Sequence, residues 1–174
     1  MTLIENTLDV LKGMPAALEK ILLMIPPADL TWTPDSWDGI PGERFSLIGQ
    51  VCHLRDIEAD GYHVRIRRML EEENPDLVSL DSYALAAERK VDEATDIEDA
   101  YRSFRAAREM TLGMIGKLTG KDLRRTGTFA EYGAITLHGL LHFLCSHDQQ
   151  HLACLHWLLG KITSRVDGSG NFSA

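Results

Sequence analysis

Residues 137–160 read LHGLLHFLCSHDQQHLACLHWLLG, and this stretch carries five of the chain's seven histidines. On a helical wheel with 100° steps from His138, Leu137, Leu140, Leu144, Leu155 and Leu158 fall between about 200° and 260°, and Leu141 near 300°. One leucine stripe at helical period predicts an amphipathic helix that packs a single face, with Gly160 as the residue just past its end. On the same wheel His142 lies at about 40° and His156 at about 0°, whereas His147 lies at about 180° and His151 at about 220°. The first two join His138 on the flank opposite the core, and the last two enter the leucine stripe.

An imidazole among leucines must hydrogen-bond or bind something, or it costs roughly 1–3 kcal/mol as an unsatisfied buried polar group. His147 and His151 are spaced HxxxH, which puts both rings on one helix face, where two nitrogens can reach one ion. Taken alone, the pair fits either a metal site or two hydrogen-bonded core histidines. A metal site needs a third ligand.

Outward from this helix, apolar residues recur at helical period in three more segments. The first covers 3–25, with Gly13 and Pro15 placed to kink or restart it. A loop with prolines and two tryptophans, PPADLTWTPDSWDGIPGERF (26–45), leads to Ser46 as N-cap of a helix that Asn74-Pro75 stops. DSYALAAERKV (81–91) predicts a short extra helix, and Asp96 caps a longer one reaching about Leu118. Residues 119–136 form a turn-rich crossing, and VDGSGNFSA (166–174) ends the chain as a loose tail. Without an alternating strand or an internal repeat, the pattern predicts an all-α four-helix bundle over residues 1–163, with long connections and a flexible tail over 164–174.

The chain of 174 residues has the size of one domain, and its formal charge of −8 argues against a nucleic-acid partner. The one basic run, RIRRM (65–69), is followed by EEE and reads as a solvated helix face. No apolar run approaches the ~20 residues of a membrane span. Cys52, Cys145 and Cys154 form an odd set without disulfide spacing and without a signal peptide ahead, which points to a reducing cytoplasm and to packing roles. Gly-rich phosphate loops, nucleophile elbows and CxxC pairs are all missing.

The second helix offers His53 and His63. With His53 at 0°, the apolar stripe runs from Ile57 at about 40° through Val51 at about 160°, so His53 borders it, Glu58 at about 140° lies within it, and His63 at about 280° lies outside. On position alone His53 is as well explained by a carbonyl partner as by a metal. A di-iron bundle would need paired Glu-x-x-His motifs, and HDQQH lacks the glutamate of a thermolysin-type site.

Two segments together carry a resemblance: SLIGQVCHLRDIEADGYHVRIRRML (46–70) and GAITLHGLLHFLCSHDQQHLACLHWL (133–158). The chain resembles the DinB-like (DinB/YfiT-like) metalloenzyme family in these motifs and in their order along nearly its whole length. The resemblance implies that His53, His147 and His151 are facial ligands of one divalent cation (nickel, zinc or iron), with positions left open. It also implies a small-molecule substrate, a homodimer and chemistry on a low-molecular-weight thiol of the bacillithiol, mycothiol or glutathione type, transferred to an electrophile. Metal-dependent hydrolysis uses the same open site, and a silent bundle with a structural metal is a third reading. Asp148, near 280°, is expected as an exposed or intersubunit carboxylate, or else as an acceptor orienting a histidine.

Overall fold

In the computed structural model, residues 3–40, 42–130 and 132–165 are described. They form α1 (Leu3–Leu22), α2 (Leu47–Asp56), a π-helical segment (Ile57–Tyr62), α3 (His63–Glu71), α4 (Ser82–Glu88), α5 (Val91–Ala94), α6 (Ile97–Ile115) and α7 (Leu137–Thr163). α2, the π segment and α3 are one continuous helical rod, so four long rods make the bundle, as the sequence predicts. The starts follow local chemistry: Ser46, Asp96 and Thr136 each accept from backbone N–H groups of the following first turn, satisfying donors that have no helical partner.

Three features of the helices differ from expectation. α1 ends at Leu22 rather than Ile25, and it runs through Pro15 without restarting. α7 continues past Gly160 to Thr163, because Ser164 and not Gly160 takes the C-cap. The predicted tail over 166–174 lies outside the described residues. The fourth difference is a small sheet where no strand was expected: β1 (Asp76–Leu77) pairs in parallel with β2 (Thr126–Phe129), which pairs antiparallel with β3 (Gly133–Thr136). Strands of two and four residues with glycines at 127 and 133 are too short to show alternation. The sheet still matters, since β3 runs straight into α7 and the Leu137 N–H bonds the Arg125 carbonyl at 2.8 Å.

Pro15 explains how α1 is held. It has no N–H, so the Leu11 carbonyl one turn earlier lacks its helical donor. Arg108 of α6 fills the vacancy, with Nη1 donating to Leu11 O at 2.9 Å. The same guanidinium donates to Glu58 Oε1 in the π segment at 2.7 Å and to both carboxylate oxygens of Asp148 in α7 at 2.8 and 2.9 Å. One buried side chain therefore touches all four rods.

This polar layer divides the core. Met14, Leu18, Leu47, Leu54, Phe104, Cys154 and Leu155 pack on one side, and Leu11, Ile57, Ile66, Leu140, Leu144, Ile115 and the sheet's Leu77 and Phe129 on the other. Along each rod the cluster changes at the level of Arg108. The tryptophan-bearing loop packs as expected, Trp37 stacking on Trp157 of α7 with ring centroids 5.7 Å apart.

Replacing Arg108 by Met should destabilise the fold by about 3–5 kcal/mol in urea unfolding, because Glu58 and Asp148 would stay buried without a cation. Adding Glu58→Gln and Asp148→Asn should recover part of the loss. An Arg108→Met protein as stable as the wild type would show that the layer is not held this way.

Candidate metal centre

His53 comes from the last turn of α2, and His147 and His151 from successive turns of α7. Their Nε2 atoms converge: His53 to His147 and His147 to His151 are each 3.1 Å apart, and all three ligand atoms lie within 4.8 Å of one another. Two imidazole nitrogens bound to one ion at about 2.1 Å stand roughly 3.0–3.4 Å apart, so the trio fits a single cation. Of the described histidines, cysteines and carboxylates, only these three form such a group.

Protonation favours the same use. Burial lowers the pKa of all three rings; it brings His147 down to about 3, helped by the neighbouring His53, Arg108 and Arg65 charges. His151 lies well below the ordinary 6.5 for the same first cause, and His53 is lowered by burial despite Glu43 and Asp56. The rings are neutral at pH 7 and present lone pairs without a proton to displace.

Gln50, one turn before His53 and fully buried, fixes the arrangement. Its Oε1 accepts from His151 Nδ1 at 2.5 Å, and its Nε2 donates to the carbonyls of Glu43 at 2.9 Å and Phe45 at 3.3 Å. With Nδ1 carrying the proton, His151 Nε2 is left as the lone pair that faces the other two rings. Glu43 itself reaches the trio, Oε1 lying 3.7 Å from His53 Nε2 and Oε2 3.7 Å from His151 Nε2.

Through His147 and Glu43 the site borders a cavity of about 210 Å³. Tyr62, Phe129, Tyr132 and Phe143 give it an aromatic wall. Arg65 lies over the Phe129 ring at 4.7 Å and donates to the Val78 carbonyl through Nε and Nη2. The basic run 65–69 is thus not wholly a solvated face: Arg65 is buried. A larger groove of about 710 Å³ between α1 and α6 is lined by Leu22, Ile97 and Tyr101 and by no histidine or cysteine, so size alone does not mark the chemistry.

The remaining candidates separate clearly. His142 and His156 are exposed, as the wheel predicts. His138 is half-buried, and its Nε2 has no hydrogen-bond partner. His63 is a correction: it is buried, its Nε2 2.8 Å from Thr111 Oγ1 and 3.1 Å from the Ala107 carbonyl. The π segment is the reason, since one extra residue in a turn sets later positions back by about 100° and turns His63 from the outside into the apolar stripe. Asp148 is a second correction, buried against Arg108 rather than exposed. Burial raises its carboxyl to about 6 although Arg108 pulls the other way. Glu58 is buried as expected and accepts from the Thr111 hydroxyl at 2.5 Å. Burial also raises the thiols of Cys52, Cys145 and Cys154, the last two to about 11, so none is a thiolate at pH 7.

Gln50, Glu43 and Arg108 were not singled out in the sequence. Gln50 sits three residues before His53 on the same helix face, and Arg108 sits at helical spacing between Phe104 and Ile115. Glu43 left no signal, because it stands on an irregular loop.

The sequence model of the DinB superfamily matches residues 11–155. The fold is similar to that of YfiT from Bacillus subtilis, described as a probable metal-dependent hydrolase with an unusual four-helix bundle topology. The TM-score is 0.78 at 21% identity, over 91% of this chain and 87% of that one. Among curated protein sequences there is no match.

Two outcomes test the geometry. Gln50→Leu should weaken divalent-metal affinity about 10–100-fold, the usual effect of removing a partner that orients a ligand, with metal content and chelator competition as the measurement. In metal-free protein, the folded pKa values of His53, His63, His147 and His151 lie below the unfolded 6.5. Unfolded chains then take up protons first, so the stability present above about pH 6.5 declines as pH falls below it. Asp148, raised from 3.8 to about 6, contributes in the opposite sense over that lower range, one group against four. Urea midpoints that stay flat from about pH 8 to 5 would contradict this.

Proposed function

The chain belongs to the DinB superfamily, and on that premise we propose that it is a metal-dependent hydrolase acting on a small molecule, with His53, His147 and His151 holding one divalent cation. The observation that carries the reading is the convergence of three neutral Nε2 atoms beside a cavity. Three imidazole ligands, one of them lining the cavity, leave a position for water or substrate as in a catalytic site, whereas a structural site is closed by four protein ligands. YfiT's description as a probable metal-dependent hydrolase agrees with it.

The cation, when bound, supplies Lewis acidity toward a substrate oxygen and acidifies coordinated water. The rest falls to the chain's own residues. Gln50 keeps His151 in the tautomer that offers Nε2, and the Asp148–Arg108 pair fixes the rotation of α7 that aims His147 and His151 inward. Tyr62, Phe129, Tyr132 and Phe143 receive an apolar or planar substrate body and exclude water around it. Arg65 places a positive charge beside the cavity that opposes protonation of His147.

Protein made without a histidine tag should carry close to one divalent ion per chain. His147→Ala or His151→Ala should abolish it, and His142→Ala or His156→Ala should leave it in place. Metal-loaded protein should hydrolyse members of a panel of small esters, amides and phosphoesters, and a chelator should stop it. Turnover only when bacillithiol, mycothiol or glutathione is added would replace hydrolysis by thiol transfer. Equal metal content in all four variants would overturn the site.

A further inference from the structure

We propose that Glu43 is a fourth protein donor to the cation, a carboxylate carried over the three imidazoles by the loop ahead of α2; this rests on the metal-centre reading above. Its two oxygens face two different rings, Oε1 toward His53 Nε2 and Oε2 toward His151 Nε2, each at 3.7 Å. That is a few tenths of an ångström beyond the roughly 3.0–3.4 Å separating donors on one ion, a gap that a small side-chain rotation closes.

The loop is held in place, so this approach is not an accident of an exposed side chain. The Glu43 carbonyl accepts from Gln50 Nε2, the same amide that holds His151. On the following residue, the Arg44 N–H donates to the Tyr83 hydroxyl at 2.9 Å. The peptide joining Glu43 to Arg44 is thereby held at both its carbonyl and its N–H, while the Glu43 carboxylate, about one-third exposed, keeps the freedom to move.

Charge supports the same assignment. Three neutral imidazoles leave the full 2+ of a divalent ion at a buried place, and a carboxylate halves it. The other buried carboxylates nearby are committed: Glu58 and Asp148 to Arg108, and Asp56 to Arg55 and Arg89. Glu43's carboxylate instead faces the two site histidines, whose rings are neutral. With Glu43 bound, a four-coordinate ion would have the closed ligand set of a structural site, so hydrolysis at this centre requires a five- or six-coordinate ion, which keeps positions toward the cavity. The carboxylate thus makes access to the cavity depend on which ion is loaded.

The test is titration of the metal-free full chain with Co²⁺ and with Zn²⁺ alone, read by chelator competition and by the visible spectrum of bound Co²⁺. Glu43→Gln, isosteric and uncharged, should weaken both ions at least tenfold and alter the Co²⁺ bands. Glu43→Asp should recover part of the affinity, and the metal-free melting temperatures of both variants should match the wild type. Unchanged affinity and unchanged bands in Glu43→Gln would overturn the fourth ligand while leaving the three-histidine site intact. Failure of the wild type, or loss of metal in neither His147→Ala nor His151→Ala, would overturn the underlying site instead. If Glu43→Gln melts lower, Glu43→Asp decides: near-wild-type affinity and bands support ligation, and losses equal to those of the amide refute it.

Discussion

A proline in the first helix creates the need that Arg108 meets. Pro15 leaves the Leu11 carbonyl without a helical donor in the interior, where an unpaired carbonyl is costly. Arg108 satisfies it and brings a full charge, which in turn demands carboxylates. Glu58 and Asp148 supply them from the other two rods. Each group is tolerable inside only because the others are there, and removing one leaves an uncompensated charge. The four rods are therefore tied at one level by a polar set that apolar packing alone would not specify.

The site depends on that level. Asp148 stands next to His147 in α7, and its bidentate contact with Arg108 sets which way this helix is turned. Rotation by one residue, about 100°, would carry His147 and His151 out of the bundle interior. Glu58 is the second residue of the π segment on the opposite rod, just over one turn beyond His53. The clamp thus sets the facing of both ligand-bearing rods, and Gln50 completes the alignment by joining His151 to the loop that carries Glu43.

How much of this was legible follows from the kind of signal each feature leaves. Helical period gave the four rods, their caps at Ser46 and Asp96, and the inward pair His147 and His151, because one wheel describes an unbroken α-helix. The same wheel failed at His63, since a π turn breaks the 100° step and nothing in IEADGY announces it. His53 lies at the border of its stripe, so its angle does not mark it as a ligand; the family resemblance does, and its Nε2 stands beside that of His147. The wheel misplaces Asp148 because it records an angle and not a partner, and the partner, Arg108, is far along the chain on another rod. The sheet leaves no signal because strands of two and four residues, one of them opened by glycine and another interrupted by it, are too short a run of alternation to stand out.

The polar layer and the histidine trio also share an electrostatic logic. Glu58 and Asp148 face a single guanidinium, so with both ionised the layer carries an excess negative charge, and burial accordingly pushes Asp148 up to about 6. The trio beside it is neutral, and burial opposes any proton on it. A divalent cation is the one addition that suits both: it takes the lone pairs that protons are denied and sits near a carboxylate whose charge is only partly matched. Binding of such an ion to the folded chain, and not to the unfolded one, adds stability by mass action, as RT times the logarithm of one plus the ratio of free ion to its Kd. Part of the cost of burying three imidazoles and two carboxylates in a leucine bundle is in this way recovered by the ion they are arranged to hold.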